Sequence, residues 1–353
     1  MLDIEELIAR GQESGASDIH IVCGLPVKCR VDGTIRSLTA EPLTYDDCEA
    51  YARALAGAEY SAMERIGELD LSRSFLCGAR TRINLFRQRG AVSAAIRILA
   101  DHIPELEELQ LPPVVSGFAD YRSGIVLVTG ETGSGKSTTL AALLNRINHT
   151  RNGHIITLED PIEYLYTPDR CVINQREIGA DTRSYADGLR SILREDPDVI
   201  LIGEMRDLAT IETALTAAET GHLVFATLHT NSAADSVDRM ISVFPEGQQR
   251  QVRLQVSTTL RAVVSQQLLP RKSGHGRIAA CEIMVVGSAI RNLIREGKTP
   301  QIDSFITMNA QNGSMTMDNA LQKLVRDGMI SQETAVSFCR DREAFQTAAN
   351  RRY

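Results

Sequence analysis

The sequence predicts an α/β protein: a doubly wound parallel core, preceded by a small α+β domain and followed by a helical tail. Three observations carry this. Between residues 124 and 285 short apolar runs alternate with amphipathic helical stretches. The first of those runs passes straight into a glycine-rich loop, and the segments before residue 111 alternate apolar and polar residues as half-buried strands do. Leu111-Pro112-Pro113 suits a linker, which divides the chain into 1–111 and 114–353, with the helical tail occupying about 287–353.

In the first domain, Leu2, Leu7 and Ile8 share a helical face, and the stretch 11–17 is expected to break that helix before a strand at 18–21. Segments 27–31 and 34–38 flank Asp32-Gly33, a hairpin signal. A helix is expected over 45–56, then strands over 69–75, 78–86 and 91–99. This domain carries a cluster of arginines: Arg80, Arg82, Arg87, Arg89 and Arg97. Arg80 and Arg87 suit a solvated strand face. Arg82 and Arg97 interrupt segments of mostly apolar or small residues, which leaves open whether one or both reach an anion held by the other domain.

The second domain opens with the apolar run Ile125-Val126-Leu127-Val128, followed by GETGSGKSTT at 130–139. Gly130, Gly135, Lys136 and Ser137 satisfy G-x-x-x-x-G-K-[ST], and Leu140, Leu143, Leu144 and Ile147 follow at helical spacing. The chemistry needs these residues. Gly130, Thr132, Gly133, Ser134, Gly135 and Thr138 let backbone N–H groups curl around the phosphates of ATP, Lys136 adds a full charge, and the Ser137 hydroxyl can hold Mg²⁺. An ordinary glycine-rich turn meets the same pattern without standing between a buried strand and an amphipathic helix.

A second strand, 154–158, ends in Glu159-Asp160-Pro161-Ile162-Glu163, carboxylates suited to Mg²⁺ or an attacking water at the strand's C-terminal end. A third, beginning at Asp198, delivers Glu204 in the manner of a Walker B segment, where it would bind or orient the Mg²⁺ shell. After a helix over 208–220, a fourth strand at 223–227 is bracketed by His222 and His229. Both histidines are open to a structural or a phosphate-sensing role, with His229 favoured because it follows the C-terminal end. Helices at 233–244 and 247–260, strands at 263–269 and 277–283, and tail helices at 288–296, 299–309, 317–327 and 332–341 complete the reading. Met308, Met315, Met317 and Met329 are expected to pack.

Composition narrows the class. The chain has 353 residues, 43% hydrophobic and 24% charged, with no apolar run long enough to span a membrane and an acidic start unlike a signal peptide. A cytoplasmic protein, at most peripheral to the membrane, is expected. Seven scattered cysteines without C-x-x-C spacing are expected as buried small hydrophobes rather than a zinc site or disulfide scaffold. A net charge of −7 argues against nucleic acid as a partner.

Several segments together resemble the secretion-type ATPases that drive type IV pili and type II secretion. They are GASDIHI at 15–21, RINLFRQRG at 82–90, the P-loop, EDPIEY at 159–164, ILREDPDVILIGEMRD at 192–207 and TGHLVFATLHTNSAADSVDRM at 220–240. The resemblance implies a PAS-like first domain, a RecA-like second domain, and a hexameric ring that holds ATP between the two. It makes Glu163 the glutamate that activates water, Glu204 the Walker B glutamate, His222 and His229 the His box, and Arg82 and Arg97 arginines that reach the phosphates. The absence of a tetracysteine insertion before GRIAACEIM at 276–284, and the stretch AIRNLIREG at 289–297, resemble the pilus-retraction branch rather than extension or type II secretion ATPases. The implied partner is an inner-membrane pilus platform protein, at the inner face of the cytoplasmic membrane. A nonhydrolytic nucleotide-gated binding module is the alternative of another class, and the carboxylates at 163 and 204 count against it.

Overall fold

A computed structural model describes residues 2–31, 33–99, 102–340, 342–343 and 345, so Asp32 of the expected turn and Asp341 of the last expected helix lie outside the described residues. The chain forms two compact units. The first contains 1–102 together with the short piece 163–165, and the second contains the remainder. Residues 103–111, read from the sequence as the end of the first domain, belong to the second because Leu106 is buried in its core with Leu109 and Leu111 against it.

The first unit runs α1 (Ile4–Glu13), β1 (Asp18–Ile21), β2 (Lys28–Val31), β3 (Thr34–Ser37), α2 (Tyr45–Ala56), α3 (Tyr60–Ile66), β4 (Glu68–Ser74), β5 (Arg80–Gln88) and β6 (Ala91–Ile98). Its strands make one antiparallel sheet in the order β3-β2-β1-β6-β5-β4. Strand periodicity divides the sheet into two faces. Ile19, Ile96, Ile83 and Leu85 are buried with Leu7, Ile8, Tyr51 and Leu55 of the helices. Asp18, Arg97 and Arg82, one register position away, form a row on the opposite face. A reciprocal capping box sets the start of α2: Thr44 Oγ1 accepts from the Asp47 amide at 3.2 Å, and Asp47 Oδ2 accepts from the Thr44 amide at 2.8 Å.

Gly11 does not break α1, which continues to Glu13. A Cβ there would stand 2.5 Å from Ile19 Cδ1, so this glycine serves the close approach of helix to sheet. The expectation of buried cysteines holds for four of the seven and fails outright only at Cys77. Cys29, Cys48, Cys171 and Cys281 are buried, Cys23 and Cys339 are partly so, and Cys77 is exposed. Met317 is in a core as expected, whereas Met308 is 74% exposed.

The second unit begins with β7 (Gly124–Thr129), α4 (Lys136–Thr150), β8 (His154–Glu159), β9 (Val172–Glu177), α5 (Tyr185–Ile192), β10 (Val199–Ile202), α6 (Leu208–Glu219) and β11 (Leu223–Leu228). It continues through α7 (Ala233–Ser242), α8 (Glu246–Thr259), β12 (Leu260–Pro270) and β13 (Arg277–Val285) to α9 (Ser288–Glu296), α10 (Ile302–Met308), α11 (Met317–Arg326) and α12 (Gln332–Phe338). The sheet order is β13-β12-β7-β11-β10-β8-β9, parallel throughout except for β13.

Burial on both faces explains the continuous apolar runs. Ile125 and Leu127 of β7 pack with Ile211 and Leu215 of α6 and Val256 of α8, while Val126 and Val128 pack with Leu140, Leu143 and Leu144 of α4. Two elements were not legible. β9 is an edge strand whose leading Val172 is 63% exposed, so it shows no buried face, and α5 contains Gly188, whose absent Cβ makes room for Leu158. A 3-10 segment, Pro113–Asp120, begins at the last residue of the expected linker and buries Val115 and Phe118.

Gly11→Val is expected to destabilise the first unit by about 1–3 kcal/mol through overpacking against Ile19. A fall in its thermal midpoint measures this, and an unchanged midpoint would contradict the packing role.

Candidate active site

Parallel register aligns the C-terminal ends of β8, β10, β11 and β7, and the chain between strand and helix at that edge carries the candidate chemistry. After β7 the backbone takes positive φ at Gly130 (140°), Gly133 (80°) and Gly135 (90°), and Gly135 caps α4. Lys136 Nζ donates to the Gly130 and Glu131 carbonyls, each at 2.9 Å. The ammonium is thus held inside the loop's own curl. Ser137 is exposed at the first turn of α4, and Ser134 Oγ is buried without a partner among the described residues. A cavity of about 260 Å³ is lined by Glu131, Thr132, Gly133 and Ser134, by Asn231, by Gln266, Gln267 and Leu268, and by Ser337 and Phe338 near the chain's end.

Side chains of β12 hold the loop in this shape. A Cβ on Gly130 would collide with the Gln266 carbonyl, and one on Gly135 would meet Gln266 Nε2 at 2.8 Å and Leu268 Cδ1 at 2.9 Å. Gln266, 3% exposed, accepts from Thr139 Oγ1 at 2.9 Å, and Ser265 Oγ lies 2.9 Å from Thr129 Oγ1. Sequence reasoning missed Ser265 and Gln266. The available signal was three polar residues in succession, Ser265-Gln266-Gln267, inside the apolar run 263–269.

Glu204 stands two residues past β10, next to Gly203, where a Cβ would meet Tyr185 Oη at 2.9 Å and the Leu158 carbonyl at 3.1 Å. The Gly203 amide donates to Leu158 O at 2.7 Å and the Met205 amide to Thr227 O at 3.1 Å, so both neighbours of Glu204 are tied to adjacent strands. The carboxylate is met by His229 Nε2 at 3.3 Å on Oε1 and by Arg206 Nη2 at 2.7 Å on Oε2. Burial works to raise its pKa, but the hydrogen bond from Arg206 and the charges of His229 and Arg206 outweigh it, and the net result lies below the ordinary 4.5. Glu204 is therefore ionised at neutral pH. Its pairing contributes stability above about pH 4.5, and that contribution is lost as pH falls through the lowered value. Tyr185 sits close by. Its hydroxyl is pushed far up by burial and by the charges of Asp160, Glu204 and Glu159. The sequence reading overlooked it because α5 itself was overlooked.

Not every expected residue joins this edge. His222 precedes β11, at the opposite end of the strand from His229, and its Nδ1 lies 2.9 Å from Ala217 O and 3.1 Å from Thr220 Oγ1. That pattern is local closure of the turn after α6, so the two histidines are not brought together. Glu159 ends β8 and Asp160 follows, but Glu163 is exposed and belongs with 164–165 to the first unit rather than to the carboxylate cluster. Arg82 and Arg97 are direct cross-strand partners on the sheet of the first unit. Arg97 Nε binds Asp18 Oδ1 at 3.0 Å, whereas Arg82 is exposed and has no partner among the described residues. A cleft of about 550 Å³ lined by Arg151, His154, Cys171 and Asp198 lies at the N-terminal strand ends and holds none of the expected residues.

Residues 93–337 match the family model described as Type II/IV secretion system protein, a stretch that contains the P-loop, Glu204 and His229. The chain belongs to the type II/IV secretion system protein family. Its second unit is a RecA-like ATPase core. Among relatives of this secretion family, the type IV pilus retraction ATPase PilT of Pseudomonas aeruginosa is 47% identical over 95% of this chain and 97% of its own. A twitching motility protein of Neisseria gonorrhoeae is 51% identical over 76% of this chain and 72% of its own. The crystal structure of the pilus retraction motor PilT with bound ADP superposes with a TM-score of 0.92 at 46% identity, covering 98% of this chain and 100% of that one. No helix among the described residues is long and apolar enough to cross a membrane.

Two substitutions probe this geometry. Gln266→Leu leaves the Thr139 hydroxyl buried without its acceptor, and a loss of about 1–3 kcal/mol of stability is expected in a denaturation experiment. Arg206→Ala removes a hydrogen bond and a charge from Glu204, so the Glu204 carboxyl is expected to titrate at higher pH by carbon-13 NMR; an unmoved titration would show that burial and His229 set its value without Arg206.

Proposed function

We propose that this chain is the ATP-hydrolysing motor of type IV pilus retraction, working as a hexameric ring on the cytoplasmic side of the inner membrane against a pilus platform protein. The carrying observation is the end-to-end match to a retraction ATPase, 47% identical over 95% of the chain, which takes in both units. The likeness to an ADP-bound motor supports nucleotide binding at the P-loop.

Hydrolysis of the γ-phosphoryl requires positioning and charge more than covalent chemistry. Backbone amides of 130–138 cradle the phosphates at the positive end of α4, and Lys136 exchanges its two carbonyl partners for phosphate oxygens. The donors present suit Mg²⁺, a hard cation that prefers oxygen: the exposed Ser137 hydroxyl and the ionised Glu204 carboxylate would hold it, directly or through water. Bound there, the ion neutralises charge developing on the phosphate oxygens. Glu163, exposed on a three-residue piece of the first unit, accepts a proton from the attacking water. His229 orients Glu204 and senses the phosphate. Arg82 and Arg97 stabilise the transferring group, Arg82 being the readier donor because Arg97 is engaged by Asp18. His222 has no part in this scheme.

Glu204→Gln and Glu163→Gln are each expected to bind ATP and turn it over slowly in a phosphate-release assay; wild-type turnover in both would sink the assignment. Arg82→Ala is expected to lower kcat by about 10³-fold, as removal of a transition-state arginine does. Cells lacking the gene are expected to be hyperpiliated and unable to twitch, whereas bald cells would mean extension.

A further inference from the structure

The described chain ends by reaching back into the core of the second unit. Glu282, on β13, is 0% exposed, and its carboxylate is shared among three donors. Oε1 accepts from the Ala233 amide at 2.8 Å and from Arg340 Nη2 at 2.9 Å, while Oε2 accepts from the Met317 amide at 3.4 Å. One buried carboxyl group therefore sits at the first amides of both α7 and α11; burial pushes its pKa up, while the Arg340 charge and the Ala233 amide work the other way. Arg340 also donates through Nη2 to the Asn231 carbonyl at 3.2 Å, through Nη1 to Asp303 Oδ2 at 3.4 Å, and through its backbone amide to Asp318 Oδ1 at 3.0 Å.

The consequence lies in the segment between β11 and α7. The pair grips it at two backbone atoms, Asn231 O and Ala233 N, on either side of Ser232. Two residues before Asn231 is His229, whose ring meets Glu204 at 3.3 Å. We propose that Glu282 and Arg340 are positioning residues for ATP turnover, holding residues 231–233 so that His229 stays within reach of Glu204. This rests on the reading of Glu204 and His229 given above.

Directional hydrogen bonds to two backbone atoms fix a loop in a way that apolar packing at the same place does not. β13 is paired with β12 over nine residues, so when one partner is lost the short 229–232 segment is the part that moves. Removing the arginine alone leaves a buried, uncompensated carboxylate. Because Arg340 also binds Asp303 on α10 and Asp318 on α11, the placement of the helical tail is transmitted to the catalytic histidine.

The test uses the full chain, with oligomeric state, thermal midpoint, kcat and KM for MgATP measured for Arg340→Gln, Arg340→Lys and Glu282→Gln/Arg340→Gln, and with His229→Ala in parallel. Arg340→Gln is expected to lose about ten- to a hundredfold in kcat, the scale of a misplaced catalytic group, with KM held within about twofold because, among the described residues, neither Arg340 nor Glu282 bonds to a residue of the loop 130–138. Arg340→Lys, which keeps the charge, is expected to recover part of the loss. The double variant is expected to recover part as well, since the carboxamide introduced at position 282 still offers an oxygen acceptor to the Ala233 amide without a buried charge. Unchanged kcat in both single Arg340 variants, whatever their melting temperatures, overturns the positioning role, as does a rise in KM with kcat intact. Full turnover in His229→Ala overturns the site reading and this proposal with it. Loss in His229→Ala beside full turnover in the Arg340 variants removes the positioning role alone.

Discussion

The nucleotide-binding loop depends on a close approach of backbone to backbone. Gly130 lies against the Gln266 carbonyl of β12 where a Cβ would not fit, and Gly135 lies against the Gln266 amide and Leu268. Glycine is needed at these two positions both for positive φ and for that contact. Gln266 can press so close because it is buried and returns a hydrogen bond to Thr139 on α4. Strand, loop and helix are thereby locked to a neighbouring strand 127 residues further along the chain. A preformed cradle of this kind has little ordering left to do when phosphate arrives.

A second constraint is electrostatic. Glu204 is kept ionised by Arg206 and His229 just past the end of β10, and the tightness around Gly203 leaves it one place to stand. Burial and the neighbouring charges of Asp160, Glu204 and Glu159 push the Tyr185 hydroxyl far up, so it stands neutral beside these carboxylates. On the separate sheet of the first unit the sign is reversed. Arg82 and Arg97 lie side by side, Asp18 of β1 engages Arg97, and the surplus positive charge makes that face favour an anion.

The loop and Glu204 of the candidate site were legible because their residue types have few other uses at those spacings. A glycine-rich loop between a buried strand and a helix, and carboxylates at strand ends, state their chemistry locally. What was misread follows one pattern. Gly11 looked like a helix breaker, yet it stands inside α1 because Ile19 occupies the space a Cβ would take, as Leu158 does at Gly188 in α5. His222 and His229 looked like a pair since only six residues separate them, but those six form a strand that sends the two rings to opposite edges of the sheet. Short sequence distance across a strand is long distance in space.

The sequence by itself determined the α/β class, the phosphate loop, Glu204 and the alternating faces of the first sheet, because each is set by the periodicity or chemistry of neighbouring residues. Tertiary structure alone decided that Gln266 shapes the loop, that Tyr185 joins the carboxylates, that Glu163 belongs with the first unit, and that Arg340 closes on Glu282. Each of these joins residues that are far apart in the chain or lie on elements without a periodic signature. Such contacts follow from how the layers pack, and no local pattern records them.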